Sequence, residues 1–395
     1  MPDIIVMGRN YTSRLGMIRA AGIAGYNVKV IRIRNSANPE TFDEKSRYVQ
    51  EYCTVDEHDT DRLLELLKQL AAKSSEKQII IPTDDNSAFF LDEYRNSLTD
   101  SFLFPGMLNP EDSVSYYMDK KVQKELAEEV GLPVAKGWKL SFSETGFTVP
   151  DDISFPCFVK PEKSIRGRKK DMLRCSTSAE LHKHLDKVYG DYRNAGISGD
   201  LLAEEFIDIH KEYDLPGFTD GEMVVLPFFI EKGLTYSGVT GTGTLLDCSQ
   251  FQETYEKLCA LVRKIAFRGL VDIEVYENNG TVYFNELNLR FGASGYAATG
   301  YGINLPEMLI KSLQGVPFSG QTGKITDRKS FASEKVCFQV YLSGKISWKE
   351  LQDIYSKADF TFVQNNDDPE PYREFQKGAN KRRLKSAVKK ILRKK

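Results

Sequence analysis

The sequence feature that most constrains the fold is a pair of alternating segments joined by a short polar link. Residues 270–276 and 284–290 each alternate apolar and polar side chains, which is the pattern of a half-buried β-strand. Between them, Asn278-Asn279-Gly280 predicts a three-residue hairpin loop in which Gly280 takes the left-handed conformation. The chain is therefore expected to contain an antiparallel strand pair with one face packed on a core.

One face of this predicted hairpin carries several acids together with Asn288 and Arg290. The three-residue loop places Asp272 opposite Glu286, with Glu274 diagonal to Glu286. Opposed carboxylates repel each other in a sheet, so the arrangement is unfavourable without a cation. Carboxylate and amide oxygens suit Mg²⁺, which takes further ligands from water and phosphates. This face is therefore predicted to hold a divalent metal ion, and the alternative is a solvated face whose acids are screened by water.

Residues 1–115 alternate short apolar runs with helical patterns, which is typical of an open parallel sheet. Strands are predicted at residues 4–7, 28–33 and 78–82, and helices at 13–24 and 60–73. In such sheets ligands bind beyond the carboxyl ends of the strands, where loops 8–13 and 82–86 would lie. The first loop lacks the GxGxxG pattern, which argues against a nicotinamide site. Both loops have an alternative interpretation as ordinary turns and helix caps.

A second region begins near residue 116. Asp119 is predicted to cap a helix that ends at Gly131-Leu132-Pro133. Strands are predicted at residues 136–140, 157–161, 201–207, 221–230, 270–276 and 281–289. A small additional unit at residues 326–376 is predicted to contain a strand at 336–342 and a helix at 348–357.

Several motifs, in this order along the chain, resemble those of the ATP-grasp superfamily. Lys120 after Asp119 is similar to its first nucleotide lysine, and Lys160 in Phe158-Val159-Lys160-Pro161 is similar to its second. Glu274, followed twelve positions later by Glu286-Leu287-Asn288-Leu289-Arg290, resembles its metal-binding signature, which implies that Glu274, Glu286 and Asn288 are the metal ligands. The resemblance covers about residues 1–315 and implies an α/β protein, an ATP-grasp fold preceded by an open parallel, Rossmann-like domain.

The resemblance also implies how ATP is held. The segment containing Glu204, Glu205, Phe206 and Ile207 resembles the one along which adenine lies, and Glu212 resembles the acid that binds the ribose hydroxyls. The backbone of Glu205 and Ile207 could serve the base through a carbonyl and an N–H. The family's phosphate-covering loop is usually glycine-rich, whereas residues 162–170 contain a single glycine. Cationic side chains are expected to substitute there, with Lys163 or Arg166 favoured.

The resemblance implies a reaction and a division of the chain. A carboxylate attacks the γ-phosphorus of ATP with Mg²⁺ or Mn²⁺ present, and an amine then opens the acyl phosphate to form an amide. Arg290 and Lys160 are the predicted catalytic residues, since phosphoryl transfer needs mainly alignment and charge neutralisation. The chain is predicted to consist of an N-terminal domain at 1–115, an ATP-grasp domain at 116–325, a small unit at 326–376 and a basic amphipathic tail at 377–395. Within the ATP-grasp domain, the lysine-bearing part is predicted at about 116–200 and the metal-bearing part at about 201–325.

Within the superfamily, the Gly8 to Thr12 start, the loop at 82–86 and residues 367–371 look most like carboxylate–amine ligases of the D-aspartate ligase kind. A carboxylase or a carbamoyl-phosphate-synthase-like enzyme is the enzymatic alternative, although no biotinyl-lysine context is present. A nucleotide-binding sensor without turnover is the alternative from another class. The substrates are expected to be a small carboxylate and an amine, neither of which the sequence identifies, and the oligomeric state stays open.

Cysteine usage and charge concern the compartment and partners. The six cysteines form no CxxC pair and the four histidines show no metal-type spacing, which indicates a reduced, cytoplasmic chain without a zinc site.

Residues 377–395 carry ten Lys or Arg and no acid, whereas the preceding 376 residues carry 44 basic and 56 acidic groups. Leu384, Val388, Ile391 and Leu392 recur at helical spacing among these cations, which predicts contact with an anionic membrane at its inner face. Nucleic-acid binding is disfavoured, and a disordered solubilising end is the alternative.

Overall fold

The structure is a computed structural model that describes residues 1–9, 11–35, 41–162, 171–196, 199–318 and 325–392, without the side chains of Tyr11 and residues 386–392. Lys163 and Arg166, the predicted phosphate contacts, lie outside the described residues. The remaining predicted site residues are described, so their surroundings can be compared with the expectations from sequence.

The N-terminal part is an open parallel sheet in the strand order β3-β2-β1-β4-β5, as predicted. Its strands are β1 (Ile4–Gly8), β2 (Val28–Arg34), β3 (Val49–Asp56), β4 (Gln78–Pro82) and β5 (Phe102–Leu103). Its helices are α1 (Tyr11–Ile23), α2 (Thr60–Ala72), α3 (Asp85–Glu93) and α4 (Arg95–Leu98). Every residue of β1 and β4 is buried, because the sheet is covered on both faces, and this is why both read as continuous apolar runs.

The next part is an antiparallel sheet in the order β10-β9-β11-β7-β8, backed by a long helix. The elements are β6 (Gly106–Met107), α5 (Val114–Tyr117), α6 (Lys120–Glu129), β7 (Gly137–Ser143), β8 (Gly146–Thr148), β9 (Cys157–Pro161), β10 (Leu173–Cys175), α7 (Ser178–Ala195) and β11 (Leu201–Glu205). The predicted start of α6 is confirmed, because the Asp119 carboxylate accepts a hydrogen bond from the backbone N–H of Lys121. This cap fixes where Lys120 enters the interior.

A larger mixed sheet in the order β19-β18-β12-β14-β17-β20-β21 forms the rest of the body. Its strands, and the small hairpin β15–β16, are β12 (Lys211–Thr219), β13 (Val224–Val225), β14 (Phe229–Lys232), β15 (Thr235–Tyr236), β16 (Val239–Thr240), β17 (Thr242–Leu246), β18 (Phe267–Asn278), β19 (Thr281–Asn288), β20 (Ser330–Ala332) and β21 (Phe360–Thr361). The helices are α8 (Gln252–Ile265), α9 (Tyr296–Tyr301), α10 (Leu305–Leu313), α11 (Glu334–Leu342), α12 (Trp348–Lys357) and α13 (Glu370–Leu392).

Three sequence expectations about elements are wrong. The strand predicted at 336–342 is helix α11, because a short apolar run does not by itself distinguish a buried strand from a buried helix. The predicted strand at 221–230 contains only β13 and the start of β14. The central strand β12 was missed, since it begins with Lys211 and Glu212 and contains Pro216.

The two faces of the large sheet have different environments. One face packs on α8, where Leu258 and Val262 meet Phe229 and Val271 in a single buried cluster. The other face packs on α10, which in turn packs on α1 of the N-terminal domain. Where this second face passes beyond the N-terminal domain, its side chains become acidic and face the lysine-bearing sheet. The functional residues predicted from sequence lie in this region.

Candidate active site

The β18–β19 hairpin differs in register from the sequence expectation. Asn278 pairs with Thr281, so the loop contains two residues, both with positive φ, instead of three. A bulge then shifts the register between Glu274 and Val275, which places Glu274 opposite Glu286. Without that shift Glu274 would face Asn285, and Glu286 would point to the other side of the sheet. The predicted Asp272–Glu286 pairing is wrong, since Asp272 lies opposite Asn288.

The opposed carboxylates of the hairpin each meet a lysine from another element. Glu286 Oε1 lies 2.8 Å from Lys120 Nζ, at the start of α6. Glu274 Oε2 lies 3.1 Å from Lys232 Nζ, which also lies 2.8 Å from Asp214 and 3.8 Å from Glu212. The Lys232 side chain is only 5% exposed, so it is an internal cation shared by three carboxylates. Sequence reasoning missed both Lys232 and Asp214, because each is brought to Glu274 only by strand pairing.

Negative charge remains in excess at this face. Burial raises the pKa of Asp272 to about 7, with repulsion from Asp214 and Glu274 adding to the effect and Arg290 opposing it. The pKa of Glu274 is also raised, first by burial and then by Asp214 and Glu286, against the attraction of Lys232. A divalent cation would relieve this repulsion.

The donor atoms fit a hard metal ion. Asn288 Nδ2 donates to the backbone carbonyl of Asp272 at 3.2 Å, which leaves the Asn288 amide oxygen as an acceptor beside the two glutamates. In the part of the chain that the structure describes, no three or more His, Cys, Asp or Glu side chains form a ready-made metal cage. Two carboxylates and an amide oxygen suit Mg²⁺, which completes its shell with water and phosphate oxygens.

Lys160 lies in a buried ion-pair cluster on β9, in the antiparallel sheet that precedes the large sheet. Its Nζ lies 2.8 Å from Glu204 Oε2, and Lys124 Nζ contacts the other oxygen of the same carboxylate. Burial lowers the pKa of Lys160 to about 8, and repulsion from Lys120 and Lys124 adds to it, while Glu204 opposes it. Burial alone would raise the pKa of Glu204, but the two lysines outweigh it and the net shift is downward. Lys124 was missed, although it lies one helical turn after Lys120.

The segment after β11 retains hydrogen-bonding groups at the cleft edge. The backbone N–H groups of Glu205 and Phe206 donate to Lys136 and Pro156 carbonyls at 2.8 and 3.1 Å. Among the described backbone carbonyls, none accepts from the N–H of Ile207. The N–H of Ile207 can therefore serve a base, as predicted, whereas the N–H of Glu205, whose carbonyl the expectation concerned, is already used.

Tyr276 lies between the predicted adenine segment and the predicted ribose acid. It pairs with Glu212 across β12 and β18, and its ring stacks on Tyr283 with centroids 5.6 Å apart. Burial raises the pKa of Tyr276, and the charges of Glu204, Tyr283 and Glu205 add to the shift. Sequence reasoning treated Tyr276 only as a strand residue, although it lies two positions after Glu274 and so shares its face.

Arg290 connects this face to the N-terminal domain. Its guanidinium lies 2.9 Å from Asp85 and 3.4 Å from Asp272, and Ser294 donates to Asp272 at 3.2 Å. Asp85 belongs to the predicted ligand loop at 82–86, so the structure brings that loop to the site. A Cβ on Gly292 would lie 1.8 Å from Asp272 Oδ2, and only glycine permits this close approach.

A parallel α/β domain, followed by a lysine-bearing sheet that faces an acidic hairpin, defines the ATP-grasp class that the sequence resemblance implied. Residues 119–318, just over half of the chain, match the sequence family described as "Carbamoyl-phosphate synthase L chain, ATP binding domain". The chain belongs to this family.

The relatives include ligases and a formyltransferase. The chain is 28% identical over 256 residues to formate-dependent phosphoribosylglycinamide formyltransferase of Bacteroides fragilis, covering 62% of this chain and 63% of that protein. It is 23% identical over 277 residues to D-aspartate ligase of Enterococcus faecium, covering 64% of this chain and 62% of the ligase. The matches thus span less than two thirds of these relatives. The L-amino acid ligase of Bacillus licheniformis has the same fold, with a TM-score of 0.64 at 16% identity, over 84% of this chain and 80% of that one.

Within the described ranges, no helix is both long and apolar enough to cross a bilayer.

Proposed function

We propose that this protein is an ATP-dependent ligase that joins a carboxylate to an amine through an acyl phosphate, with release of ADP and phosphate. The observation that carries the proposal is the convergence of two lysines, Lys120 and Lys160, with two opposed acids, Glu274 and Glu286. Lys120 contacts Glu286 and lies close enough to Lys160 to repel it. Opposite charges at this spacing suit a nucleotide whose anionic phosphates need both lysines and a metal.

The nucleotide would lie along the cleft between β11 and β18. Tyr276 would form an aromatic surface for the base, and Ile207 would offer its backbone N–H to it. Glu212, whose side chain is 47% exposed, can accept hydrogen bonds from ribose hydroxyls while it stays near Lys232. Lys120 and Lys160 would neutralise phosphate charge.

Glu274, Glu286 and Asn288 would hold Mg²⁺, or Mn²⁺ in its place. A divalent ion held by these residues would supply Lewis-acid chemistry and positive charge for the phosphates. The contribution of the chain is to keep these three donors on one side of the hairpin, which the bulge beside Glu274 achieves.

Arg290 is the residue we expect to act on the reacting acid. The substrate carboxylate oxygen forms a bond to the γ-phosphorus as the bond to ADP breaks, and the amine nitrogen then attacks the acyl carbon as phosphate leaves. Negative charge develops on oxygen in both steps, and the guanidinium of Arg290 is positioned by Asp85 and Asp272 to stabilise it. Lys160 would neutralise negative charge on the phosphates of the departing ADP.

Two alternatives make different chemical demands. A carboxylase or carbamoyl-phosphate-type enzyme would activate bicarbonate in place of an organic acid, and the relatives include carbamoyl phosphate synthase large chain of Thermus thermophilus. A sensor would bind nucleotide without turnover. The presence of Glu274, Glu286, Asn288 and Arg290 on one face of the sheet favours an enzyme over a sensor.

The experiment is a phosphate-release assay with ATP, Mg²⁺ and a panel of D- and L-amino acids, dicarboxylates and bicarbonate. Release that requires both an organic acid and an amine supports the ligase, whereas release with bicarbonate alone supports a carboxylase. Glu286→Gln is expected to lose turnover while the protein still folds, because it removes one metal ligand, and relief of the opposed Glu274 offsets part of the loss of the ion partner of Lys120. Glu125→Gln, an exposed acid on α6, is the control. Normal release by Glu286→Gln would contradict the metal assignment.

A reducing, cytoplasmic compartment is part of the proposal. All six cysteines are free thiols, and five of them are buried. Cys157 and Cys175 face each other across β9 and β10 without being joined. A chain exposed to oxidising conditions would be expected to carry such neighbours as a disulfide.

A further inference from the structure

We propose that the basic tail, residues 377–395, binds the surface of an anionic lipid bilayer and holds the enzyme body against it. Residues 377–392 of the tail form the greater part of α13, the helix Glu370–Leu392, and residues 393–395 lie outside the described residues. The proposed ligase reaction does not involve the tail, because none of the predicted nucleotide or metal residues belongs to it. The inference is therefore independent of the proposed ligase reaction.

The first half of α13 is fixed to the body. Phe375 and Ala379 are buried in a cluster with residues of α11 and α12. The guanidinium groups of Arg382 and Arg383 lie over the rings of Phe338 and Trp348, 5.5 and 3.8 Å from the ring centroids. These contacts define one side of the helix as the side that faces the body.

The opposite side of the helix presents an apolar residue to solvent. Leu384 is 69% exposed, and at about 100° per residue it lies about 180° around the helix from Phe375. Its neighbours Lys381 and Lys385 are exposed as well. The helical backbone continues to Leu392, and in the sequence Val388 and Ile391 follow Leu384 at the spacing of one helical face. The pattern is that of a helix lying in an interface.

Charge complementarity identifies the partner. The tail carries ten Lys or Arg and no acid, whereas the remaining residues carry 44 basic and 56 acidic groups. An anionic bilayer offers both a negative surface for these cations and an apolar layer for Leu384 and the residues that continue its stripe. A nucleic acid offers only the negative charge, and its phosphates would repel the acidic body.

The test is co-sedimentation of the full chain with vesicles of equal parts phosphatidylglycerol and phosphatidylcholine at low salt, without ATP or substrates. One comparison chain ends at Lys385, which keeps Phe375, Ala379 and both packed arginines. A second, full-length chain combines Leu384→Gln, Val388→Gln, Ile391→Gln and Leu392→Gln, which keeps every charge. Vesicles of pure phosphatidylcholine separate charge-driven from purely apolar binding.

We expect the full chain to bind anionic vesicles, and each variant to have a partition coefficient lower by at least about tenfold. Binding should fall at high salt and be weak on neutral vesicles. Equal binding by the full chain and the shortened chain would overturn the proposal, as would absence of binding by the full chain. Tail-dependent binding to a DNA or RNA duplex that is tighter than binding to vesicles would also overturn it. Phosphate release by the shortened chain is measured separately, so failure here is distinguishable from failure of the ligase proposal.

Discussion

At the scale of single residues, the site is a set of buried charges that balance each other only in part. Lys160 and Lys124 both form ion pairs with Glu204, whereas a single lysine, Lys232, lies close to Asp214, Glu274 and Glu212. Truncating one partner of a buried pair leaves the other uncompensated, which costs more than the pair itself contributes. Substitution of these buried lysines should therefore destabilise the fold much more than substitution of exposed lysines nearby.

Lys160 makes ATP affinity dependent on pH. Its pKa in the ligand-free protein is about 8, and phosphate favours the charged form, so affinity should fall as pH rises through about 8. Lys160→Met should weaken binding by about 1.5–3 kcal/mol below that pH and remove the dependence. Calorimetry on either side of pH 8 measures both effects. A wild-type affinity that stays constant across this range would remove Lys160 from the phosphate contacts.

Lys232→Met should destabilise the fold, because it leaves the three acids around it without their internal cation. The expected cost is about 3–5 kcal/mol, measured by denaturant unfolding. Added Mg²⁺ should restore part of the lost stability, since Glu274 belongs both to the predicted metal site and to the acids around Lys232. Lys211→Met is the control, because that lysine is exposed and pairs with a single glutamate. Equal effects of the two substitutions would show that Lys232 contributes no more than a surface cation.

At the scale of elements, the turns around the hairpin have separable roles. Gly280 is at φ 80° in the β18–β19 turn, and a Cβ there would meet nothing within 4 Å. Gly292, in the turn after β19, has Asp272 where its Cβ would be. Gly280 allows the left-handed backbone conformation of the turn, and Gly292 leaves room for the side chain of Asp272.

Gly292→Ala is expected to lower activity strongly, since it pushes Asp272 away from Arg290. Gly280→Ala is the matched control, with a cost of about 1–2 kcal/mol in stability from its left-handed conformation and no loss of activity. Unfolding midpoints and phosphate release measured on both variants separate the two effects. Full activity in Gly292→Ala would show that the Asp272–Arg290 contact is dispensable.

At the scale of the whole molecule, the N-terminal domain is tied to both later parts of the chain. Asp85 binds Arg290, and the fully buried Arg19 of α1 donates to Asp368 and to the carbonyls of Phe362 and Val363. Asp368 also accepts from the hydroxyl of Ser46 at 2.8 Å. The first and last parts of the chain therefore close around the large sheet.

Asp368→Asn should destabilise the whole molecule by about 3–5 kcal/mol, because it leaves the Arg19 guanidinium buried without its counter-charge. Asp367→Asn, at the exposed neighbouring position, should have little effect on stability. Thermal unfolding of the two variants makes the comparison. Similar melting temperatures would mean that the carbonyl contacts alone hold Arg19.

The sequence by itself determined the order of the motifs, the open parallel sheet, the helix that begins at Lys120 and the two strands that carry the acids. These depend on local spacing, capping and alternation, which neighbouring residues fix. Only the tertiary structure decided the register of the hairpin, where a two-residue turn and a bulge replaced the expected loop. It also decided that residues 336–342 form a helix and that Lys232 and Asp85 join the site. These features depend on contacts between residues far apart in the chain, and the sequence pattern around each residue carries no record of its distant partner.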